Sequence, residues 1–133
     1  MSETFIRAIR ADEIAPGGMK AVELEGHEIV VCNCGGSYRA IQRRCGHMNA
    51  PLELGTLDGP YVTCAMHCVQ FDVATGAALS GPVPVDLGDL SPLPVVAGYL
   101  QHVAAQMSHI RVESIRTYET KVDAGWVHVS LGP

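Results

Sequence analysis

Two short boxes of cysteine and histidine constrain the fold of this chain more than any other feature of its 133 residues. The first is Cys45-Gly46-His47; the second, after sixteen intervening residues, is Cys64-Ala65-Met66-His67. Thiolate sulfur and imidazole nitrogen are ligands that suit zinc and iron. A chain that uses all four must bring two loops face to face around one centre. A single tetrahedral zinc fits poorly, because paired zinc ligands usually stand two to four residues apart, and Cys45 and His47 have one residue between them. A binuclear centre makes the tight spacing an advantage, since each box can send its cysteine to one iron and its histidine to the other. In a sulfide-bridged [2Fe-2S] cluster of this kind, Cys45 and Cys64 take the inner iron, and the neutral imidazoles of His47 and His67 take the outer one.

Charge explains the mixed ligand set. Two ferric ions, two sulfides and two thiolates sum to zero, whereas four thiolates would leave the oxidised cluster doubly negative, so the mixed set accepts an electron more readily. Reduction also makes the distal imidazole nitrogens more basic, which links electron uptake to proton uptake.

The rest of the chain suits one small domain built around such a centre. With 47% apolar and 17% charged residues and no low-complexity run, the composition is that of a soluble globular protein. A net charge of −5 argues against a general nucleic-acid binder. No window approaches the roughly 20 apolar residues of a membrane span, and "MSETFIRAIRADE" has no export-signal pattern; a cytoplasmic, unanchored protein is expected. Five cysteines in such a chain read as metal ligands or thiols before disulfides. Cys32 and Cys34, two apart on a predicted strand, should share one face as small, partly buried core residues.

Short runs separated by turn signals predict an all-β meander leading into Cys45: strands in "TFIRAI", "MKAVEL", "HEIVVC" and "YRAIQ", with turns at "APGG", "EG" and "CGGS". After His67, "VQFDVATGAAL" reads as two short strands around Thr75-Gly76, and "IRTYETKVDAGWVHVSL" as a closing hairpin around "DAG". One segment departs from the pattern. From Pro94 to about Ile110, Val96, Tyr99, Leu100, Val103, Met107 and Ile110 recur at helical spacing, with Pro94 suited to a first turn.

The boxes "CGHMNAPLELGTLDG" and "TCAMHCVQFDVATG", followed by "LSGPVP", resemble the Rieske [2Fe-2S] family, most closely its soluble ferredoxins of bacterial oxygenase systems. The similarity covers all but about residues 86–112. It implies a single Rieske domain over 1–133, made of small antiparallel sheets with cluster-binding loops, plus one inserted helix near the C-terminal hairpin. It further implies a Rieske cluster on Cys45, His47, Cys64 and His67, and a proline-containing third loop at Gly81 to Pro84.

Respiratory Rieske proteins carry a disulfide-forming cysteine in each box and Ser and Tyr hydroxyls that bond sulfur; the corresponding residues here are Ala50, Met66, Val69 and Phe71. With fewer donors at sulfur, the expected potential lies nearer about −150 mV than about +300 mV. Cys68 stands where relatives often have glycine, and it is expected not to bind iron, since the ligand set is already complete. His27, His102, His109 and His128 read as surface or structural residues. Arg43 and Arg44 could contact an acidic partner or merely form a solvated strand end. Met48, Leu52, Leu54, Met66, Pro82 and Pro84 would form an apolar collar around the cluster.

The resulting expectation is a one-electron carrier, not itself an enzyme, between a reductase and a terminal oxygenase or other acceptor. Oligomeric state stays open. A Rieske oxygenase is disfavoured, because no second His/His/carboxylate triad is evident. A Rieske-like small subunit of a larger oxidoreductase, of nitrite reductase type, or a redox sensor is the alternative.

Overall fold

The computed structural model describes residues 4–46, 49–65, 68–80, 102 and 112–132. Nearly all of their regular structure is β. Strands β1 (Phe5–Arg10), β2 (Met19–Leu24), β3 (His27–Cys34) and β4 (Ser37–Gln42) precede the first box, and the short strands β5 (Thr56–Asp58), β6 (Tyr61–Thr63) and β7 (Gln70–Asp72) surround the second. β8 (Thr117–Asp123) and β9 (Trp126–Ser130) close the chain. Two antiparallel sheets result, one of six strands in the order β1-β9-β8-β4-β3-β2, the other of three in the order β5-β6-β7.

β3 explains how the sheets combine. Its sequence "HEIVVCNC" is a near-continuous apolar run, as expected for a strand covered on both faces. Ile29 and Val31 point into one core with Ala40, Val127 and Val129. Val30 and Cys32 point oppositely, into a second core with Ile41, Cys45, Cys64 and Phe71. Each of these fully buried Val and Ile side chains contributes about 1.5–3 kcal/mol through removal from water. The second core holds the cysteines of both boxes, so β3 and β4 are the wall on which the two boxes are mounted.

The turns follow their residues. Glu25-Gly26 joins β2 to β3 and Ala124-Gly125 joins β8 to β9, all four with positive φ, the backbone of a two-residue hairpin matched to strand twist. The buried Asn33 side chain ties the β3–β4 turn to the segment before β2, donating to Ile14 O at 2.8 Å and accepting from Gly36 N–H at 2.7 Å.

Three expectations need adjustment. The meander is confined to β2-β3-β4; β1 instead pairs with β9, because the closing hairpin enters the sheet between β1 and β4. Of the two strands expected around Thr75-Gly76, only β7 forms, and its would-be partner is a single bridge from Phe71 to Ala78. β5 and β6 form a hairpin within a stretch read only as part of the ligand box. The inserted helix expected over 94–110 lies outside the described residues except for His102, which is exposed and helical.

Candidate metal centre

The two Cys/His boxes form two loops with the same backbone frame. The first runs from Cys45 to Ala50 and is closed at its base by an antiparallel bridge between Arg44 and Pro51. The second runs from Cys64 to Val69 and is closed by the β6–β7 pair Thr63 and Gln70. In the first loop Cys45 N–H donates to Ala50 O at 2.8 Å and Asn49 N–H to Cys45 O at 3.0 Å; in the second, Cys64 N–H donates to Val69 O at 2.9 Å and Cys68 N–H to Cys64 O at 3.1 Å. The fifth residue of each loop, Asn49 or Cys68, adopts the left-handed conformation with φ of 59°. Each cysteine thus opens a loop of the same length, with the same two backbone hydrogen bonds to its ends.

Cys45 and Cys64 are both 2% exposed and belong to the same buried cluster. Around them stand Leu52, Val62, Val69 and Phe71, all fully buried. The site interior is therefore apolar on the described sides. Cys32 lies in the same core, and burial, with a smaller effect from Cys34, pushes its thiol up to about 12. Cys34 is half-buried at the edge of that core and its thiol is also raised, chiefly by burial. Cys68 is exposed. Among the described residues, no group of three or more His, Cys, Asp or Glu side chains forms another metal site.

An ion-pair network braces the first loop. Arg43 donates through Nε to Glu53 at 2.5 Å and through Nη1 to Glu28 at 2.8 Å, and Arg44 donates through Nη2 to Glu28 at 3.1 Å. Arg44 also reaches the Asn49 carbonyl within the loop, at 3.4 Å. Hydrogen bonds from Arg44 and then Arg43 hold the Glu28 carboxyl below its usual range, and those that Arg43 donates to Glu53 and then Glu28 raise its guanidinium. Both arginines are thus engaged within the chain, so neither is the bare solvated strand end weighed from the sequence.

Residues 4–112 match the family model of the Rieske [2Fe-2S] domain. The chain belongs to the Rieske family. The match runs through the 86–112 segment and ends before the closing hairpin. Several curated relatives are ferredoxin components of dioxygenase systems. That of the Pseudomonas aeruginosa naphthalene 1,2-dioxygenase system is 36% identical over 83 residues, covering 62% of this chain and 80% of the relative. That of the Rhodococcus jostii biphenyl 2,3-dioxygenase is 39% identical over 75 residues, covering 56% and 70%. Among solved structures, the Sphingomonas yanoikuyae B1 ferredoxin superposes with a TM-score of 0.69 at 25% identity, covering 97% of this chain and all of the other. The cofactor is accordingly a Rieske-type [2Fe-2S] cluster, and the chain an electron carrier rather than an enzyme.

The described residues fit a Rieske cluster in donor chemistry. Two sulfur donors stand in one dry core, on loops whose matched frames lead on to one histidine each. His47 and His67 themselves, with Met48, Met66, Pro82 and Pro84, lie outside the described residues. Of the expected apolar collar, Leu52 is a core residue and Leu54 is exposed. Val69 and Phe71, where respiratory Rieske proteins place hydroxyls, are sealed from solvent. His27 packs edge-on against Tyr118, its ring centre 6.3 Å away, and His128 pairs across the sheet with Arg7 and Lys121. The sequence reading missed Glu28, Glu53 and Gln42 as neighbours of the first loop. No local pattern marks these three; Gly46 signals a different approach, that of the Glu113 backbone, whose carbonyl oxygen a Cβ there would overlap.

Proposed function

We propose that this chain carries single electrons from a reductase to a terminal oxygenase or another redox protein, on a cluster held by Cys45, His47, Cys64 and His67. The carrying observation is the pair of matched loops that bury Cys45 and Cys64 in one core. When bound, a Rieske cluster supplies reversible one-electron exchange. The chain's own part is to hold two thiolates in an apolar interior, exclude water from the sulfur side, and present a histidine from each loop. The ferredoxin relatives, matched over most of their length, belong to dioxygenase systems, which supports the oxygenase as acceptor. The 133 residues act as one Rieske domain with an insertion at about 86–112.

A cytoplasmic location accords with the thiols. Cys32, Cys34, Cys64 and Cys68 stand outside any disulfide, as a reducing compartment favours. No helix among the described residues is long and apolar enough to cross a membrane.

Reconstitution tests the reading. The loaded protein should contain close to two irons and two acid-labile sulfides per chain, show a Rieske-type electron paramagnetic resonance spectrum, and relay electrons between an oxygenase-system reductase and its oxygenase in stopped-flow. Serine at position 45 or 64, or alanine at 47 or 67, should abolish that spectrum. A colourless protein holding one zinc overturns the ligand assignment. A fully loaded protein that only functions when bound to a large catalytic subunit would favour the small-subunit alternative.

A further inference from the structure

The peptide that leads into Cys45 is gripped by a residue outside both ligand loops. β4 ends at Gln42, whose backbone N–H donates to Arg116 O at 2.9 Å. Its side-chain amide is used at both ends: Arg116 N–H donates to Oε1 at 2.6 Å, and Nε2 donates to the Arg44 carbonyl at 2.6 Å. That carbonyl belongs to the same peptide as the Cys45 N–H, which donates to Ala50 O at 2.8 Å. Gln42 therefore fixes one end of this peptide and the loop's own closing bond fixes the other.

The segment that supplies Arg116 also meets the far side of Cys45. Residues 112–116 run as a strap between the first ligand loop and the turn after β7. Glu113 N–H donates to Gly46 O at 2.7 Å, and Ile115 N–H donates to Gly76 O at 2.8 Å. A Cβ built on Gly46 would overlap the Glu113 carbonyl oxygen, and one on Gly76 would overlap that of Ile115, so glycine is needed for the strap to lie this close. Cys45 is thus held from both sides, by Gln42 through Arg44 and by the strap through Gly46.

We propose that Gln42 is a positioning residue for the cluster: its amide, working with the 112–116 strap, sets the orientation of the Arg44–Cys45 peptide and so the dry setting of the Cys45 sulfur. The inference rests on Cys45 being an iron ligand. Glutamine suits the task because it offers one acceptor and one donor in a neutral group, and both are used. Outer contacts of this kind tune a metal site through ligand orientation and water access. Loosening the loop admits water to a site where Cys45 is only 2% exposed. Water favours the reduced state, which carries one more negative charge, so the potential should move positive.

The test compares Gln42→Met and Gln42→Asn with Thr120→Val. Gln42→Met keeps volume without charge and loses both amide bonds, whereas Gln42→Asn keeps the amide but shortens its reach. Thr120→Val removes a side-chain bond of similar length, Thr120 Oγ1 to Tyr38 O at 2.7 Å, that does not touch the ligand loop. Each loaded protein is examined by film voltammetry, electron paramagnetic resonance and visible circular dichroism, and each apo-protein by thermal melting. We expect both Gln42 variants to move the midpoint potential positive with altered g-values, and Thr120→Val to lower only the melting temperature. Gln42 variants that melt lower but keep the wild-type potential and g-values overturn the proposal and leave Gln42 a support of the fold. Failure of the ligand assignment looks different: Cys45→Ser would then retain a wild-type Rieske spectrum.

Discussion

Phe71→Tyr is the most informative single substitution in this chain. Phe71 lies in β7, paired with Val62 and bridged to Ala78, fully buried in the core that holds Cys45 and Cys64. Respiratory Rieske proteins, by the resemblance drawn above, place a tyrosine hydroxyl here that bonds sulfur. The substitution adds one donor at the ring tip and little else. Because the site is sealed, a hydroxyl without a partner costs about 1–3 kcal/mol of stability. A hydroxyl donated to a ligand thiolate favours the more negative reduced state by about 1 kcal/mol. For a one-electron couple, in which a tenfold change in equilibrium constant corresponds to about 59 mV, that is a rise of roughly 40 mV. The two outcomes are linked: the variant either rises in potential at near wild-type stability, or loses stability at unchanged potential. Film voltammetry on the loaded protein and melting of the apo-protein distinguish them. The reasoning fails if the wild-type potential already lies near about +300 mV. It fails equally if a structure of the variant shows the hydroxyl bonded to sulfur while the potential has not moved.

Three further outcomes are expected. Cys68→Gly should leave iron content and potential unchanged and stabilise the apo-protein by about 0.5 kcal/mol, since the left-handed backbone at Cys68 costs a side chain about 1–2 kcal/mol and glycine gives back only part of that through unfolded-state entropy; iron loss on this change would make Cys68 a ligand. Glu28→Gln should lower stability at neutral pH. Because the native Glu28 carboxyl is held below its reference value of 4.5 by Arg44 and Arg43, its contribution is present above that value and lost as pH falls through the lower native one, so urea melts of wild type and variant should converge only in acid. Cys32, raised by burial from 9.0 to about 12, stays protonated in the native state while the unfolded thiol ionises, so stability should fall with pH across that interval by about 1.4 kcal/mol per unit from this group alone. Cys32→Ala should remove that component from denaturant melts at pH 9 to 11, and an alkaline slope identical to wild type would refute the assignment.

The chemistry of this chain was written locally. Four ligand-type residues within 23 positions announce a cluster-binding site, because what they do depends on side-chain type and spacing. The β2–β4 meander was equally legible, since short strand-forming runs and the Glu25-Gly26 and Gly35-Gly36 turns between them act over a few residues. β5 and β6 were not: at three residues each they are too short to show a period, and they are held by cross-strand pairing, β5 with β6 and β6 with β7. Nor could periodicity show that β1 leaves the meander for β9, a pairing between opposite ends of the chain chosen by burial of Val127 and Val129. Arg43 and Arg44 read as a contact for an acidic partner or a solvated strand end until the fold brought Glu28 and Glu53 within bonding range. The Gln42 amide acquires its meaning only when Arg116, 74 residues on, is folded against it. A ligand's identity is a property of its own side chain, whereas the orientation of the peptide behind it depends on long-range hydrogen bonds, and those form only when the whole sheet has assembled.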